Sequence, residues 1–377
     1  MILTSELVAP ILKQLSSIFE SVINVTDPNG NILASTDPQK INTVLPEALE
    51  AQKAGAEKVL QLAHTNSVHI ILPIELYHRV VGALSIEYHG ELDIVLPVAR
   101  VIRVNLQLSL EQYHMQQKQQ YQKKAEEAWL FDLINPNRFN SAELEAFAET
   151  IQIKCTVKRS ILLVHIRELT MIKDAEQLSE KKSKLMSSIS SILPSQGLAT
   201  FCGDSRLLLC LPLLGDAGVS EKAFADKLKL LFEKSDYHVC IGIGERLEGV
   251  EGYRDSYFQA LQCISLHQKL LQGIGISHIN DWGLVRLMDS IPNKIRQKFA
   301  DHYDTFLMKL SAEQEETLEA FLESDLSVKE AADRLHLHRN TLLYRLDKLA
   351  EQMKLDPKKF NDAIIYKLLL ICKSLNK

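Results

Sequence analysis

The sequence has no long hydrophobic run. No apolar segment of its 377 residues approaches the length of about 18 residues that a membrane-spanning helix requires. The N-terminal stretch MILTSELVAPILKQL has no basic region and carries Glu6, which argues against a secretory signal peptide. We therefore expect a cytosolic protein with no membrane partner.

Cysteine is scarce and unpatterned. The six cysteines are scattered without a C-x-x-C pair, and most lie in apolar, strand-like contexts, which indicates reduced and buried thiols. Twelve histidines raise the question of a metal site. Neither His336 with His338 nor His64 with His69 has clustered acidic or thiol partners, so we predict no metal site and no cofactor.

Signatures of common enzymes are missing as well. The chain contains no G-x-S-x-G, P-loop, H-E-x-x-H or G-x-G-x-x-G motif. The glycines of Ile241–Gly244 are too weakly patterned to indicate a nucleotide site. These absences predict that the chain is not an enzyme.

Charge is unevenly distributed along the chain. The formal net charge of −5 does not indicate a nucleic-acid-binding protein. Residues 327–359, however, contain eight Lys or Arg and five Asp or Glu, a local net charge of +3. Basic residues are thus concentrated near the C-terminus.

That basic segment has the pattern of a helix-turn-helix. Ser327 is a favoured N-cap, and Glu330 three residues later predicts a capping box. Apolar residues recur at helical spacing on either side of the short break His336–His338. They are Val328, Ala331, Ala332 and Leu335 before the break and Leu342, Leu346 and Leu349 after it.

The outer face of the second predicted helix suits DNA. The first residues of such a helix reach base edges in the major groove, where Arg pairs with guanine and Asn with adenine. Hydroxyls, His and Lys suit phosphates. A helical hairpin with a solvated charged face, or one that docks a protein partner, is the alternative. The polar residues are Arg339, Asn340, Thr341, Tyr344, Arg345 and Lys348.

The first 115 residues read as a small sensor domain of the PAS or Cache kind, with one antiparallel sheet and helices on one face. Asp27–Gly30 is a strong turn signal between two short strands. The predicted elements are a helix at 5–22, strands at 22–25 and 32–35, a helix at 46–54, and a hairpin of strands at 68–74 and 80–88.

A long helix is predicted next, over residues 99–128, because this stretch is rich in Gln, Lys and Glu and lacks Gly and Pro. It can serve as a rigid connector or a coiled-coil seam. A solvated helix that caps the sensor is the alternative.

Residues 129–285 alternate strands and helices in a ferredoxin-like or nucleotide-cyclase-palm order. Strands are predicted at 160–166, 206–211 and 239–243, and helices at 178–192, 221–233 and 253–271. The paired acidic residues of a cyclase are missing from the hairpin Cys202–Ser205. His165–Arg167 ends the first strand, where a metal-binding carboxylate would be needed. A structural or dimerisation role is therefore favoured over an active diguanylate cyclase.

Residues 286–377 form the predicted all-α C-terminal domain. A helical segment at 292–323 leads into the helix-turn-helix. A last helix at 360–375 is expected to pack through Ile364, Ile365, Leu368 and Ile371.

The segment HLHRNTLLYRLDKL, with Leu355, Asp356 and Phe360 after it, resembles the C-terminal helix-turn-helix of the PucR and sugar-diacid regulator family. The segments VTDPNGNILASTDPQKIN and LPIELYHRVVGALSIEYHGEL resemble that family's sugar-diacid recognition domain, and the middle resembles its degenerate GGDEF-like domain. The resemblance implies an α+β multidomain bacterial transcription regulator, an activator by analogy, that binds double-stranded DNA and a small carboxylated effector such as a sugar diacid or hydroxy acid. It adds His338 to the DNA-contact residues.

A carboxylate effector requires a cation, hydroxyls and backbone N–H groups. Ser35, Thr36 and Thr43 offer hydroxyls, Lys40 offers charge, and a helix begins near Pro46. Pro46 is also favoured in a first helical turn without any ligand, and a solvated loop lysine is the alternative interpretation of Lys40.

Arg79 and His89 are weaker candidates for effector binding. The family's D-x-x-R-I-G-x-x-H-E-G-A motif reads DPQKINTVLPEA here, which predicts an altered ligand preference. One helix-turn-helix makes few base contacts, so we also expect a homodimer or higher homo-oligomer, formed through the middle domain or the helix at 99–128.

Overall fold

The computed structural model describes residues 3–16, 21–62, 67–212, 220–271, 273–303 and 310–375. The chain forms two compact units, residues 1–123 and 124–377, and each is considered by itself. None of the helices in the described ranges has the length and apolar content needed to cross a membrane.

The first unit is built on a five-stranded antiparallel sheet in the order β2-β1-β5-β4-β3. Its elements are α1 (Ser5–Ser16), β1 (Val22–Thr26), β2 (Ile32–Ser35), α2 (Pro46–Ala54), β3 (Lys58–Leu62), β4 (Ser67–Leu76) and β5 (Arg79–His89), followed by α3 (Leu92–Ile134). Both predicted hairpins and the bounds of α2 are confirmed, whereas the edge strand β3 was not predicted.

Two corrections concern this unit. The predicted first helix was extended to Val22, but Val22 begins β1 and is paired with Glu87 of β5, and residues 17–20 lie outside the described ranges. Helices were expected on one face of the sheet only, but they cover both. At Val22, pairing with β5 overrides the helical periodicity of the sequence. Helices cover both faces of the sheet because side chains alternate along each strand, so the sheet has two faces that can be buried.

One face of the sheet carries a large apolar core. Inward-facing residues such as Ile23, Leu72 and Leu84 pack against α1 and the first part of α3. On the opposite face, Ala48 and Ala51 of α2 lie against the sheet. Small alanines allow α2 to approach closely while leaving room beside it for polar side chains on the same face.

Helix α3 is longer than predicted, with 43 residues and Pro97 inside it. Its early part is buried in the core of the first unit through residues such as Val95, Ile102 and Leu110. Its last turns are buried in the second unit, where the indole N–H of Trp129 donates to the carbonyl of Leu144 at 2.9 Å.

The second unit contains a mixed five-stranded sheet in the order β10-β9-β6-β8-β7, in which only β9 and β10 run parallel among these strands. Its elements are α4 (Ser141–Thr150), β6 (Arg159–Ile166), α5 (Ala175–Ser190), β7 (Leu198–Phe201), β8 (Arg206–Pro212), α6 (Glu221–Glu233), β9 (Val239–Ile243), α7 (Gly249–Leu270) and β10 (Gly275–His278). The three predicted strands are confirmed, and the short edge strands β7 and β10 were missed.

Both faces of this sheet are buried. One core packs against α4, α7 and the end of α3, and the other against α5 and α6. All six cysteines are free, and four of them are buried. Burial raises the pKa of Cys202 and Cys263 to about 11 and that of Cys210 and Cys240 to about 12, so these thiols are protonated at neutral pH.

The C-terminal part of the second unit is helical. Its helices are α8 (Gly283–Ser290), α9 (Asn293–His302), α10 (Ala312–Glu323), α11 (Val328–Arg334), α12 (Arg339–Met353) and α13 (Phe360–Leu375). Together with the two sheets, they confirm the predicted α+β multidomain fold.

Helix α13 packs in two directions. Tyr366 and Leu370 join the core of the helix-turn-helix, while Ile371 and Cys372 pack near Leu266 of α7. The predicted packing of Ile364 is wrong, because that side chain is 37% exposed, whereas Leu368 and Ile371 pack as predicted. Apolar residues occur almost all round this helix, so their spacing alone did not identify the buried face.

Candidate DNA-binding surface and effector site

Helix α11 begins with half of the predicted capping box. The Ser327 hydroxyl accepts the N–H of Glu330 at 3.4 Å, as expected for an N-cap. The N–H of Ser327 donates instead to the carbonyl of Ser324 at 2.8 Å, so the return bond from Glu330 is replaced by a backbone turn.

The turn between α11 and α12 depends on two histidines. His336 has a φ of 54°, a left-handed conformation that His adopts more readily than β-branched residues. His338 is the N-cap of α12, and its Nδ1 accepts the N–H of Asn340 at 3.2 Å. Because Nδ1 is the acceptor, the proton of the neutral ring lies on Nε2, which remains available as a donor.

A small core holds α12 in place. Ala331 and Ala332 of α11 let the two helices meet closely, and Leu342, Leu346 and Leu349 of α12 are fully buried against α10 and α13. The hydroxyl of Tyr366 donates to the carbonyl of Leu355 at 2.9 Å and ties α13 to the segment after α12. The outer face of α12 is therefore presented by a packed scaffold.

Most of the predicted DNA-contact residues lie on that outer face. All are exposed, including Tyr344 at 66%, and within the described ranges their side chains have no protein partner apart from the His338 cap. The residues are His338, Arg339, Asn340, Thr341, Tyr344 and Lys348. Unpaired cations and donors of this kind are suited to a polyanion.

Arg345 is placed differently. Its side chain is 26% exposed, its Nη2 lies 2.5 Å from Oε1 of Glu313, and its Nη1 donates to the hydroxyl of Thr317 at 3.3 Å. Both partners belong to α10. The sequence of α12 alone gave no signal for this placement, because Thr341 and Lys348 also precede a buried leucine and are nevertheless exposed.

A second polar group lies in the first unit, on the sheet face that α2 partly covers. Asn24 is adjacent in register to Ser35 on one side and to Ser85 on the other. The Ser35 hydroxyl donates to Oδ1 of Asn24 at 2.7 Å, and Nδ2 of Asn24 donates to the Ser85 hydroxyl at 3.5 Å. His69 Nε2 lies 2.7 Å from the same hydroxyl, which completes a chain across four strands.

An ion pair lies at the edge of this polar chain. Lys40 Nζ donates to Oε1 of Glu87 at 2.6 Å, with both side chains partly buried. Glu87 is directly opposite His69 in register. The cation predicted for the effector site is therefore next to the polar chain, but it already has a carboxylate partner.

The two threonines of the predicted site hold the loop. Thr36 accepts the N–H of Ile23 at 2.9 Å, and Thr43 donates to the carbonyl of Lys40 at 2.6 Å. Helix α2 begins after Leu45, which provides no side-chain cap. Ser35, Thr36, Lys40 and Thr43 are thus brought together around β2 and the loop before α2.

The two weaker candidates are placed apart from each other. Arg79 is exposed at the hairpin turn, eight residues along β5 from Glu87, a distance of roughly 26 Å along the strand. His89 is exposed at the other end of β5, two residues from Glu87. The structure therefore places His89, but not Arg79, near Lys40.

Burial controls the protonation of His69. Its pKa is lowered mainly by burial, although the carboxylates of Glu87 and Glu47 act in the opposite direction. The ring is thus a neutral hydrogen-bonding group at neutral pH. Sequence reasoning missed Asn24, His69, Ser85 and Glu87; the available signal was their occurrence as polar residues within otherwise apolar strands.

The middle sheet shows a polar contact at its hairpin. The Ser205 hydroxyl lies 3.4 Å from Nδ1 of His165, and Asp204 is 3.7 Å from Lys182. Burial lowers the pKa of His165. Across the described residues, no three His, Cys, Asp or Glu side chains are grouped closely enough to hold a metal ion.

Comparison with known families gives three matches in chain order. Residues 3–133 match the sugar diacid recognition domain, residues 137–266 match the GGDEF-like domain, and residues 315–371 match the PucR C-terminal helix-turn-helix domain.

Several curated relatives are similar to this chain. The uncharacterized protein YsfB of Bacillus subtilis (strain 168) is 23% identical, with 94% of this chain and 93% of the relative covered. The carbohydrate diacid regulator of Escherichia coli (strain K12) is 20% identical, with 96% of each chain covered. The proline-responsive transcriptional activator PutR of Bacillus subtilis (strain 168) is 29% identical over 33% of this chain and 32% of its own.

The three matches confirm the resemblance inferred from the sequence. The uncharacterized protein YsfB and the carbohydrate diacid regulator also align with this chain over almost its whole length and theirs. With its helix-turn-helix, its GGDEF-like middle and its N-terminal sheet domain, the chain belongs to the PucR-type transcriptional regulators that carry a sugar diacid recognition domain.

Proposed function

We propose that this regulator reads a specific DNA sequence through the N-terminal half of α12 and responds to a small carboxylated metabolite bound by its first unit. The observation that carries the proposal is the exposed and unpartnered pair Arg339 and Asn340 at the start of a helix held by a packed core. Arg339 is assigned to a guanine and Asn340 to an adenine.

The other residues of the surface act on the DNA backbone. Lys348, Tyr344 and Thr341 suit phosphates, as does Nε2 of His338, and these contacts provide affinity without sequence information. Arg345 is assigned a positioning role, because its guanidinium is occupied by Glu313 and Thr317. Activation, rather than repression, is proposed because a relative is named a transcriptional activator.

Selection from a randomised duplex library with the full chain tests this function. We expect enrichment of one motif and a binding constant that falls steeply as salt rises. Failure to enrich any motif would contradict sequence-specific reading and would favour the alternative in which the C-terminal helices dock a protein partner.

The effector is proposed to bind at the polar chain beneath the loop that carries Lys40. Its carboxylate competes with Glu87 for Lys40, and its hydroxyls exchange hydrogen bonds with Ser35, Asn24 and His69. The relative named a carbohydrate diacid regulator supports this ligand class. Because Lys40 provides a single cation, a hydroxy acid with one carboxylate is favoured over a diacid.

Thermal-shift screening of the full chain identifies the effector class. Hydroxy acids, diacids and amino acids are compared at matched concentration and pH, and a true effector raises the melting temperature in a concentration-dependent way. A shift from amino acids alone would contradict a hydroxy-acid effector.

The GGDEF-like domain is proposed to relay signals or assist assembly rather than to catalyse. Its hairpin at Cys202–Ser205 lacks paired carboxylates, which two-metal phosphoryl transfer requires. Incubation of the full chain with GTP and Mg²⁺ distinguishes the alternatives, since a cyclic dinucleotide product would establish a cyclase.

Two copies are proposed to act together on DNA. A single helix-turn-helix contacts few bases, and dimers of this class meet half-sites about one helical turn, or roughly 34 Å, apart. The selected motif is therefore expected to contain a repeated or inverted half-site.

A further inference from the structure

Helix α3 carries two apolar stripes, and only one of them is buried. The first stripe, which includes Val95, Ile102 and Leu110, belongs to the core of the first unit. The second remains exposed, with its members between 47% and 60% accessible. It consists of Ile94, Val101, Val104, Leu108 and Met115.

The exposed stripe has the spacing of a coiled-coil seam. Ile94, Val101, Leu108 and Met115 follow one another at intervals of seven residues. Val104 occupies the second core position between two of them, and Pro97 and Glu111 occupy that position in the neighbouring heptads. Such a heptad repeat keeps one seam facing a partner helix. A helix that only covers its own domain does not need a second stripe with this period.

The helix beyond this stripe is less buried than its two ends in the described part of the chain. No residue from 111 to 128 is fully buried, although α3 continues through this region. In proteins, most of the stability of a helix comes from tertiary packing of an amphipathic face. A second helix alongside α3 would bury the apolar seam and stabilise this part of the helix.

The residues that flank the seam fit a second copy of the same helix. Asn105, Gln107 and Gln112 at the flanks are uncharged and add no like-charge repulsion between identical faces, whereas Glu111 places one carboxylate of each copy at the seam. Arg100, a charged residue at the flank, is already paired with Glu57 at 2.7 Å. β-Branched Ile94 and Val101 at the first core position favour two parallel strands.

We propose that α3 forms a parallel homodimer through the seam from Ile94 to Met115. The seam is about 33 Å long, given a rise of about 1.5 Å per residue. The seam lies on α3 alone. Only its biological use, which is to bring two α12 helices to one operator, rests on the proposed function. The alternative interface in the middle domain becomes an outcome of the test.

Sedimentation equilibrium of the full chain tests the seam. The wild type is expected to sediment at twice the chain mass of 42.7 kDa. In Val101→Glu/Leu108→Glu, each charge faces its own copy, so we expect a dimer dissociation constant raised roughly tenfold or more. The matched control, Gln117→Glu/Gln120→Glu, adds the same charge on the opposite side of the helix and is expected to remain dimeric.

Oxidative cross-linking checks the register independently. Leu108→Cys is expected to give a covalent dimer because equivalent core positions meet across a parallel seam, whereas Gln117→Cys is not. The wild type, whose native cysteines are buried or half-buried, sets the background. Circular dichroism confirms that each variant is folded.

Three results would overturn the proposal: a monomeric wild type, a glutamate variant as dimeric as its control, or cross-linking at Gln117→Cys but not at Leu108→Cys. The second result would favour the middle domain as the interface. A cross-linked dimer that selects no DNA motif would refute the proposed function and leave the α3 seam supported.

Discussion

The polar surface of α12 and the polar face of the N-terminal sheet are built in opposite ways. On α12, Arg339 and Lys348 extend from a packed scaffold without protein partners in the described part of the chain. On the sheet, Lys40 is paired with Glu87, and Asn24 is hydrogen-bonded to its neighbours. The proposed DNA-binding face is therefore complete without a ligand, whereas a small effector at the proposed sheet site would have to exchange bonds that the protein already makes.

This difference has an energetic consequence. Asn24 and Ser85 are fully buried, so loss of either leaves a partner without its hydrogen bond, at a cost of about 1–3 kcal/mol. Exposed side chains on α12 can be removed at a cost within about 0.5 kcal/mol of zero. Stability and DNA affinity should therefore respond to different substitutions.

The same substitution at two asparagines gives the largest contrast. Asn24→Ala is expected to destabilise the first unit by about 2 kcal/mol, because Ser35 and Ser85 lose a buried partner. Asn340→Ala is expected to leave stability unchanged and to weaken operator binding. Urea unfolding of the full chain followed by circular dichroism measures the first effect.

The two tryptophans provide an internal reference for this experiment. Trp129 and Trp282 both belong to the second unit, so their fluorescence follows that unit alone. Asn24→Ala should shift the dichroism transition and not the fluorescence transition. An unchanged dichroism transition would mean that the polar chain contributes nothing to stability.

Two cationic side chains of α12, Arg339 and Lys348, sharpen the comparison further. Arg339→Ala is expected to cost about 1–3 kcal/mol at the selected site and to relax the base preference there. Lys348→Ala should weaken binding to all sequences alike and reduce the salt slope by about one.

Arg345→Ala is the matched control for Arg339. It removes the contacts to Glu313 and Thr317, so we expect a loss of roughly 0.5–1 kcal/mol in the stability of the C-terminal helices. Fluorescence anisotropy over a salt series measures affinity for all three variants. Equal operator affinity for Arg339→Ala and the wild type would mean that Arg339 does not take part in base recognition.

Removal of the loop cation tests the effector site. In Lys40→Ala, the cation that an incoming carboxylate would contact is removed, and the carboxyl group of Glu87 remains at the site without its partner. We expect affinity for the acid identified by thermal shift to fall by roughly tenfold, or about 1.4 kcal/mol. Arg79→Ala is the control, because that exposed cation lies at the far end of β5. Calorimetry that finds equal affinities for wild type and Lys40→Ala would exclude the loop as the carboxylate clamp.

The smallest expected effect concerns pH. Burial lowers the pKa of His69 in the folded state, so below about pH 6.5 the unfolded chain binds the proton more readily than the folded one. The contribution of neutral His69 to the free energy of unfolding is therefore complete above about pH 6.5. It decreases as the pH falls from there toward the lower pKa of His69 in the folded state. His69→Gln should flatten the dichroism-detected slope between pH 7.5 and 5.5, and a slope identical to that of the wild type would contradict a buried neutral histidine.

Much of the fold could be predicted because its signals are local. The turn at Asp27–Gly30, the N-terminal Pro46 of α2 and the cap at Ser327 each act within a few residues, and the elements they predict are observed. The edge strands β3, β7 and β10 were missed because short edge strands are defined by pairing with distant segments rather than by their own pattern.

The sequence by itself determined the helix-turn-helix and the two hairpins of the first unit, and it led to the residue types of the proposed DNA-binding face, because periodicity and caps depend on neighbours along the chain. Only the tertiary structure decided that Asn24, Ser85 and His69 form one polar chain, since strand register brings together residues up to 61 positions apart. It also decided that Arg345 contacts Glu313 while Arg339 remains open, because the packing of α10 against α12 selects which side of the helix is covered.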